Sequence, residues 1–432
     1  PWSDPRPGPG DGIFKTTDGG ENWTHLTNGL PNLSLTGRIG IDIARSNPNV
    51  LYAYVDNHNL GREVREGERD PYGRLRTGRV LVGAEVYRTD DKGESWRKVS
   101  PNMEGWGGTY GWVFGQIRVD PNDEDTIYVM GLRLSVSKDG GKTFQTISYP
   151  GLHNDHHGLW ICPDDSDYLI NANDGGINIS YDGGETWRDF HHNMNLAQFY
   201  NVAYDMAEPF NIYGSAQDHP TLRVNISHGL PRRRGEERLE TQWVVAPGGE
   251  ETHIAIDPKN PYIIYSTGKT QTNRLSRSEY QPGLDGMWKR YPVNPKQKEG
   301  EPLLRTKWLV PLILSPHNHE VLYYGMQYLF RSMNMGENWE RISSELSRQD
   351  PEKMGESHYA IPHQVITSIS ESPFQFGLVY AGTDDGKVHV TKNGGDSWTD
   401  ITGELPFYRS VSRVIASKYD KAAVYVTLNG RY

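Results

Sequence analysis

One cysteine, Cys162, stands in 432 residues. That excludes an intramolecular disulfide framework and leaves too few thiols for a cysteine-built zinc site. No apolar run approaches the ~20 residues that a membrane-crossing helix needs. No charged-then-apolar leader opens the chain, so an export signal is expected to lie outside it. Positive charge is in deficit: 45 Lys and Arg against 55 Asp and Glu leave a formal net charge of −10. A broad cationic footprint for phosphates is therefore missing, and nucleic acid is not an expected partner. Also missing are a phosphate-cradling glycine loop, a nucleophile-elbow serine and an HExxH helix.

The chain is instead rich in turn formers and rings. It has 47 Gly, 27 Pro, 12 Trp, 25 Tyr and 10 Phe, a composition of short strands joined by tight turns and packed through large side chains. The length suits two or three average domains or one large repeat architecture.

A short phrase recurs, Ser/Thr-x-Asp-x-Gly-x-Thr/Ser/Asn-aromatic. Its copies end at Trp23, Trp96, Phe144, Trp187, Trp339 and Trp398, the last two with Asn334 and Asn393 in place of Asp. Each lies between β-prone runs, which is a hairpin pattern. The Asp or Asn side chain is expected to accept from a backbone N–H two residues on, and the Gly to supply positive φ. A second phrase, a Pro/Asn turn leading into a strand, ends at Tyr52, Tyr128, Tyr265, Tyr323 and Tyr380, with weaker copies at Leu169, Tyr213 and Tyr425. The two phrases alternate. Decayed boxes are expected before Trp243 and at Leu284–Trp288, giving eight units of roughly 41 to 76 residues, the size of a propeller blade.

These boxes resemble the Asp-box (bacterial neuraminidase) repeat of sialidases, sortilin-type receptors and family 74 glycoside hydrolases. The phrases at 155–176, 197–205 and 379–398 are more similar to large bacterial exported proteins labelled sortilin-like or glycosyl-hydrolase-like. The resemblance, which runs from about Gly12 to Gly430, implies an all-β, Asp-box β-propeller of about eight four-stranded blade units, secreted, periplasmic or held at a bacterial cell surface. Family 74 enzymes are tandem seven-bladed propellers, which implies one set of blades over 1–192 and a second over 193–432 in an excerpt of a longer protein. The alternative is one eight-bladed ring over 1–432. Sialidases carry an Arg-Ile-Pro phrase that this sequence lacks, which counts against sialidase activity.

Four segments exceed a plain blade: 61–79, 222–240 (with Arg232, Arg233 and Arg234), 293–307 and 343–364. Loops on a repeated scaffold are where function gathers. The first two are rich in arginine, and an anion- or uronate-binding rim and a solvated loop are both open for them. The densest polar cluster is His153-Asn154-Asp155-His156-His157. On an extended strand His153, Asp155 and His157 share a face with ~6.6 Å between successive Cα atoms, a divalent-metal set in which zinc suits the imidazoles. A ligand-contacting patch including His156 and a structural histidine cluster are the alternatives.

Asp174, Asp218, Asp384 and Asp385 all follow a blade's second strand and are the candidate catalytic carboxylates. Glycoside hydrolysis needs two acids, ~6.5–9.5 Å apart for inversion or ~5–5.5 Å for retention, and the family 74 resemblance implies inversion. Asp-Gly also simply makes turns. Trp106, Tyr110 and Trp112 lie in a glycine-rich loop suited to sugar stacking or a partner contact. Gln198, Tyr200, Gln217, Glu250, Arg305 and Trp308 are further ligand-binding candidates. The expected partner is a polysaccharide or oligosaccharide, bound with or without hydrolysis. The alternatives are a peptide or protein gripped by a non-catalytic propeller, and a structural role in a surface complex.

Overall fold

The computed structural model describes residues 10–68, 79–101, 114–147, 149–150, 152–190, 197–226, 243–250, 252–268, 274–281, 287–307, 309–350 and 364–429. Among them there is no α-helix, and all pairing is antiparallel: seven four-stranded sheets in simple meander order and two two-stranded sheets. This is an all-β propeller architecture built of four-stranded blades. The chain divides into two compact units, Pro1–Asn195 and Leu196–Tyr432.

The first unit opens with the pair Ile13–Lys15 and Thr24–Leu26. Full blades follow, from Thr36–Ile43 to Arg97–Lys98, from Gln116–Val119 to Gln145–Ile147 and from His156–Cys162 to Arg188–Asp189. The second unit has blades from Phe199–Tyr204 to Val244–Val245, from Ile254–Ile256 to Met287–Pro292, from Leu312–Leu314 to Glu340–Arg341 and from Ile366–Glu371 to Thr399–Asp400. It closes with the pair Ser410–Ala416 and Val424–Asn429. Within each unit the first strand of a blade packs against the first strand of the blade before it.

The boxes are the turns between third and fourth strands. In the box of Asp182, the Ser180 hydroxyl accepts from the Asp182 N–H at 3.3 Å and the Gly184 N–H at 2.9 Å while donating to Asp182 Oδ1 at 2.8 Å. Asp182 Oδ1 also accepts the N–H of Thr186 at 2.8 Å. The same pattern holds at Asp18, Asp91, Asp139, Asn334 and Asn393. The aspartate thus reaches the amide four residues on, not two. The hydroxyl at the first position takes the nearer amides, leaving the carboxylate to span the loop. The glycine at the fifth position of each box has φ between 87° and 108°, where a Cβ is strained.

These bonds hold the exposed Asp18, Asp91, Asp139 and Asp182 at about 2, the first cause being the Thr186 hydroxyl at Asp182 and the Asn22 amide at Asp18. A carboxyl depressed in the fold stabilises it above the ordinary carboxylate range, and that contribution is lost as pH falls from about 4 to about 2. Asn334 and Asn393 keep the geometry without the charge. A protein carrying Asp91→Asn, Asp139→Asn and Asp182→Asn together is expected to stay folded at pH 7 and to show a flatter fall of Tm between pH 4 and pH 2; an unchanged slope in calorimetry would refute the assignment.

Blades are joined by a device with no counterpart in the boxes. A tyrosine of the second strand faces an arginine of the third, as in the cross-strand pairs Tyr52/Arg88, Tyr213/Arg223, Tyr265/Arg277 and Tyr323/Arg331. Each arginine then reaches the following blade. Arg88 bonds Asp125 and Glu124, Arg277 the Met335 carbonyl and Arg331 the Gly394 carbonyl. Arg223 lies over the Tyr280 ring at 5.6 Å. In return, the indole N–H of Trp339 donates to the Val293 carbonyl at 2.6 Å and that of Trp398 to the Ile342 carbonyl at 2.7 Å, both in the preceding blade.

Candidate functional site

The turns from second to third strand, and the loops that enter each blade, lie at the end opposite the boxes. In the first unit this end carries the histidine cluster. Asp155 has φ of +66°, and its N–H donates to the Leu132 carbonyl. It therefore turns the chain, and the strand starts only at His156, with a bulge before Gly158. The alternation expected over 153–157 fails for that reason. His153 Nδ1 meets the Asn154 carbonyl at 3.0 Å, and His157 Nε2 meets Asp174 Oδ1 at 2.7 Å. His153 and Asp155 keep ligand atoms within 4.8 Å of one another, while His157 turns away to Asp174, so the three do not form the expected set as a whole.

His156 points inward and is 2% exposed. Its Nδ1 lies 2.9 Å from Asn171 Oδ1, while Asn171 Nδ2 donates to the Gly158 carbonyl; this assigns the imidazole proton to Nδ1. Asn173 Nδ2 donates to both Asn171 and Asn178, and Asn178 Nδ2 donates to Asp189 at 2.6 Å. A polar chain thus crosses all four strands. Burial lowers the His156 pKa and keeps the ring neutral, as a hydrogen-bonded structural histidine requires.

In the second unit, the carboxylates and the long loops converge. Asp384 is buried, accepting the Val365 N–H at 2.9 Å on Oδ1 and the Lys307 ammonium at 3.0 Å on Oδ2. Asp385 is fully buried; its Oδ2 accepts the Arg348 N–H at 2.7 Å, and Oδ1 accepts the Thr383 hydroxyl. All four of their oxygens accept bonds from within the fold, so the two residues clamp the incoming chain where an acid–base pair was expected. Gln327 does the same work one blade earlier, accepting from Arg305 N–H at 2.7 Å and donating to the Leu303 carbonyl at 2.8 Å. A buried polar group at this corner is satisfied by the backbone of the entering loop.

Arg305 bonds Glu345 and the Gln364 carbonyl. Two segments marked by their length, 293–307 and 343–364, are therefore pinned at the same corner over the described parts. Gln198 and Gln217 are joined through the backbone, N–H of Gln217 to the Gln198 carbonyl at 2.8 Å, with Asp218 following at φ of +58°. Tyr200 and Glu250 are half-buried in the same unit. Trp106, Tyr110, Trp112 and Trp308 lie outside the described residues, as do Arg232, Arg233 and Arg234.

The residue that sequence reasoning missed is Arg348. Its guanidinium carbon lies 4.3 Å from the Phe407 ring centroid and 5.1 Å from that of Tyr408. Its Nε donates to the Asp385 carbonyl at 2.9 Å. An arginine in a charged loop carries no sequence signal for this, because Phe407 and Tyr408 belong to the next long connection.

Comparison with known proteins places a match to the family model described as "Sortilin, neurotensin receptor 3" over residues 84–228, about a third of the chain. No curated protein matches the sequence. Among solved structures, the chain is similar to the GH74 enzyme of Niastella koreensis, at 12% identity and TM-score 0.32 over 96% of this chain and 69% of that one. It is similar to the GH74 xyloglucanase of Xanthomonas campestris at 12% identity and TM-score 0.31, over 92% and 65%. The structure of YCF48 bound to D1 peptide matches at 12% identity and TM-score 0.32, over 72% and 87%. The chain thus spans about two thirds of the length of these GH74 enzymes.

Proposed function

We propose that this chain is a recognition segment of an exported propeller protein, and that it binds a glycan without hydrolysing it. The observation that carries this reading is the corner of the second unit. There Arg348 lies over the exposed Phe407 ring, while Asp384 and Asp385 are taken up as internal acceptors. Glycoside hydrolysis needs a carboxylic acid and a second carboxylate facing a common space. Asp174 is paired with His157, in the other unit. Arg305 and Lys307 are held by Glu345 and Asp384; what remains at the corner is the Arg348 guanidinium beside an aromatic ring, which suits hydroxyl and carboxylate groups on a sugar ring.

Affinity electrophoresis on a panel of plant and microbial polysaccharides, with reducing ends assayed in parallel, tests the reading. The expected result is retardation by at least one polysaccharide with no new reducing ends. Release of reducing ends that disappears in Asp174→Asn or Asp218→Asn would instead establish hydrolysis. The match to the sortilin model supports a second reading, a propeller that grips a peptide; retention on no polysaccharide, with saturable binding to a peptide library, would favour it.

A further inference from the structure

Arg348 is held more tightly than its few bonds require. Its N–H is fixed on Asp385 Oδ2 and its Nε on the Asp385 carbonyl, while Leu346 and Ser347 just before it are buried. The aromatic side of the clip is equally fixed. Tyr408 has φ of +51°, and its hydroxyl donates to Asp350 Oδ2 at 2.5 Å. Asp350 is in turn locked to Gln364 in both directions, N–H to Oε1 at 2.6 Å and Nε2 to its carbonyl at 2.5 Å. A non-glycine residue in the left-handed region persists only where its surroundings over-determine it, and such residues gather at binding sites.

The anchoring uses only one guanidinium nitrogen. Neither Nη of Arg348 has a protein partner among the described residues, and neither is among the buried atoms left without one. The acids nearby are already engaged, Asp385 by Thr383 and by the Arg348 backbone, Asp350 by Tyr408. An arginine stacked on aromatic rings, tied at Nε and open at its fork presents the planar, two-donor geometry that a carboxylate accepts bidentately. Beside the fork, Phe407 is 70% exposed, so an apolar ring surface adjoins the anion-binding donors.

We propose that Arg348 and Phe407 form a uronate-binding site, Arg348 reading the sugar carboxylate and Phe407 contacting the apolar face of the pyranose ring. Within a glycan, a uronic acid unit offers both features in one ring. The proposal rests on the glycan reading above and narrows it to acidic chains.

Calorimetric titration of the full chain with trigalacturonate, its methyl ester and a neutral cello-oligosaccharide tests it. Trigalacturonate is expected to bind saturably and the methyl ester at least about tenfold more weakly, since a charge-assisted bidentate pair is lost. Arg348→Gln is expected to abolish the difference between the two ligands. Arg348→Lys, which keeps the charge and removes the fork, should lose about tenfold. Phe407→Ala should weaken both ligands alike, by several-fold, with the melting curves of all variants compared to the parent as a fold control. Equal binding of acid and ester, or binding unchanged in Arg348→Gln, overturns the site. Retention of the neutral oligosaccharide alone overturns the uronate proposal while leaving glycan recognition standing, and binding of none of the three overturns the uronate site itself. A peptide that binds through Arg348 in place of the sugar overturns both.

Discussion

Trp187→Ala is expected to lower the stability of the first unit by about 3–5 kcal/mol, the range for removing a fully packed large aromatic. Trp187 is 4% exposed and packs with Tyr128, Met130, Leu134, Leu159, Ile161 and Leu169, side chains from two blades. Its indole N–H donates to the Gly184 carbonyl at 3.0 Å. Truncation leaves a cavity between blades and an orphaned carbonyl in the turn. Since a whole domain is stable by only about 5–15 kcal/mol, the loss should lower Tm by roughly 6–20 °C. Trp23 occupies the same place in its box yet is 61% exposed, so Trp23→Ala should shift Tm by no more than a degree or two. Equal effects of the two substitutions in a thermal melt would show that box aromatics act on the turn itself and not through inter-blade packing.

Acidification should weaken the second unit through His253. This side chain is half-buried at the entry to the strand Ile254–Ile256. Its Nδ1 is out of contact with solvent and has no partner. Burial first, and the Arg413 guanidinium second, hold its pKa at about 4, against a weaker opposing bond to the Val310 backbone. A histidine depressed in the fold takes up fewer protons than the unfolded chain. Its contribution is complete above the ordinary value of 6.5 and erodes as pH falls from there to about 4, by at most about 3 kcal/mol. His253→Gln removes the titrating group, so the variant should lose less stability than the parent between pH 7 and pH 4. Urea titrations across that window measure the difference, and parallel profiles for parent and variant would refute the role. His389, also lowered by burial, supplies the residual slope expected in the variant.

The boxes and the tyrosine phrases were legible because each is a local event. A hydroxyl, an acid and a glycine within five residues determine one turn, and the alternating strands follow from it. Trp243 stands directly ahead of the fourth strand Val244–Val245, as Trp96, Trp187 and Trp398 stand ahead of theirs; the decayed box expected before it lies outside the described residues. The corner of the second unit was not legible, since its bonds join residues 77 apart at Lys307/Asp384 and 37 apart at Arg348/Asp385. Asp384 and Asp385 looked chemical because acids at strand ends usually meet water; here the loop that enters the blade covers them. The histidine cluster misled for another reason. A single left-handed residue, Asp155, breaks the two-residue period on which the facing of side chains depends.

Between the blades that end at Met287–Pro292, Glu340–Arg341 and Thr399–Asp400, an arginine that reaches forward and an indole that reaches back close each seam from both sides. Duplicating the blade from Leu312–Leu314 to Glu340–Arg341, which carries both halves in Arg331 and Trp339, would therefore regenerate matched seams on both sides. One further seam is made by Arg223, which rests over the Tyr280 ring of the following blade. Such a seam tolerates erosion of its socket, because a cation over a ring needs less exact alignment than a hydrogen bond.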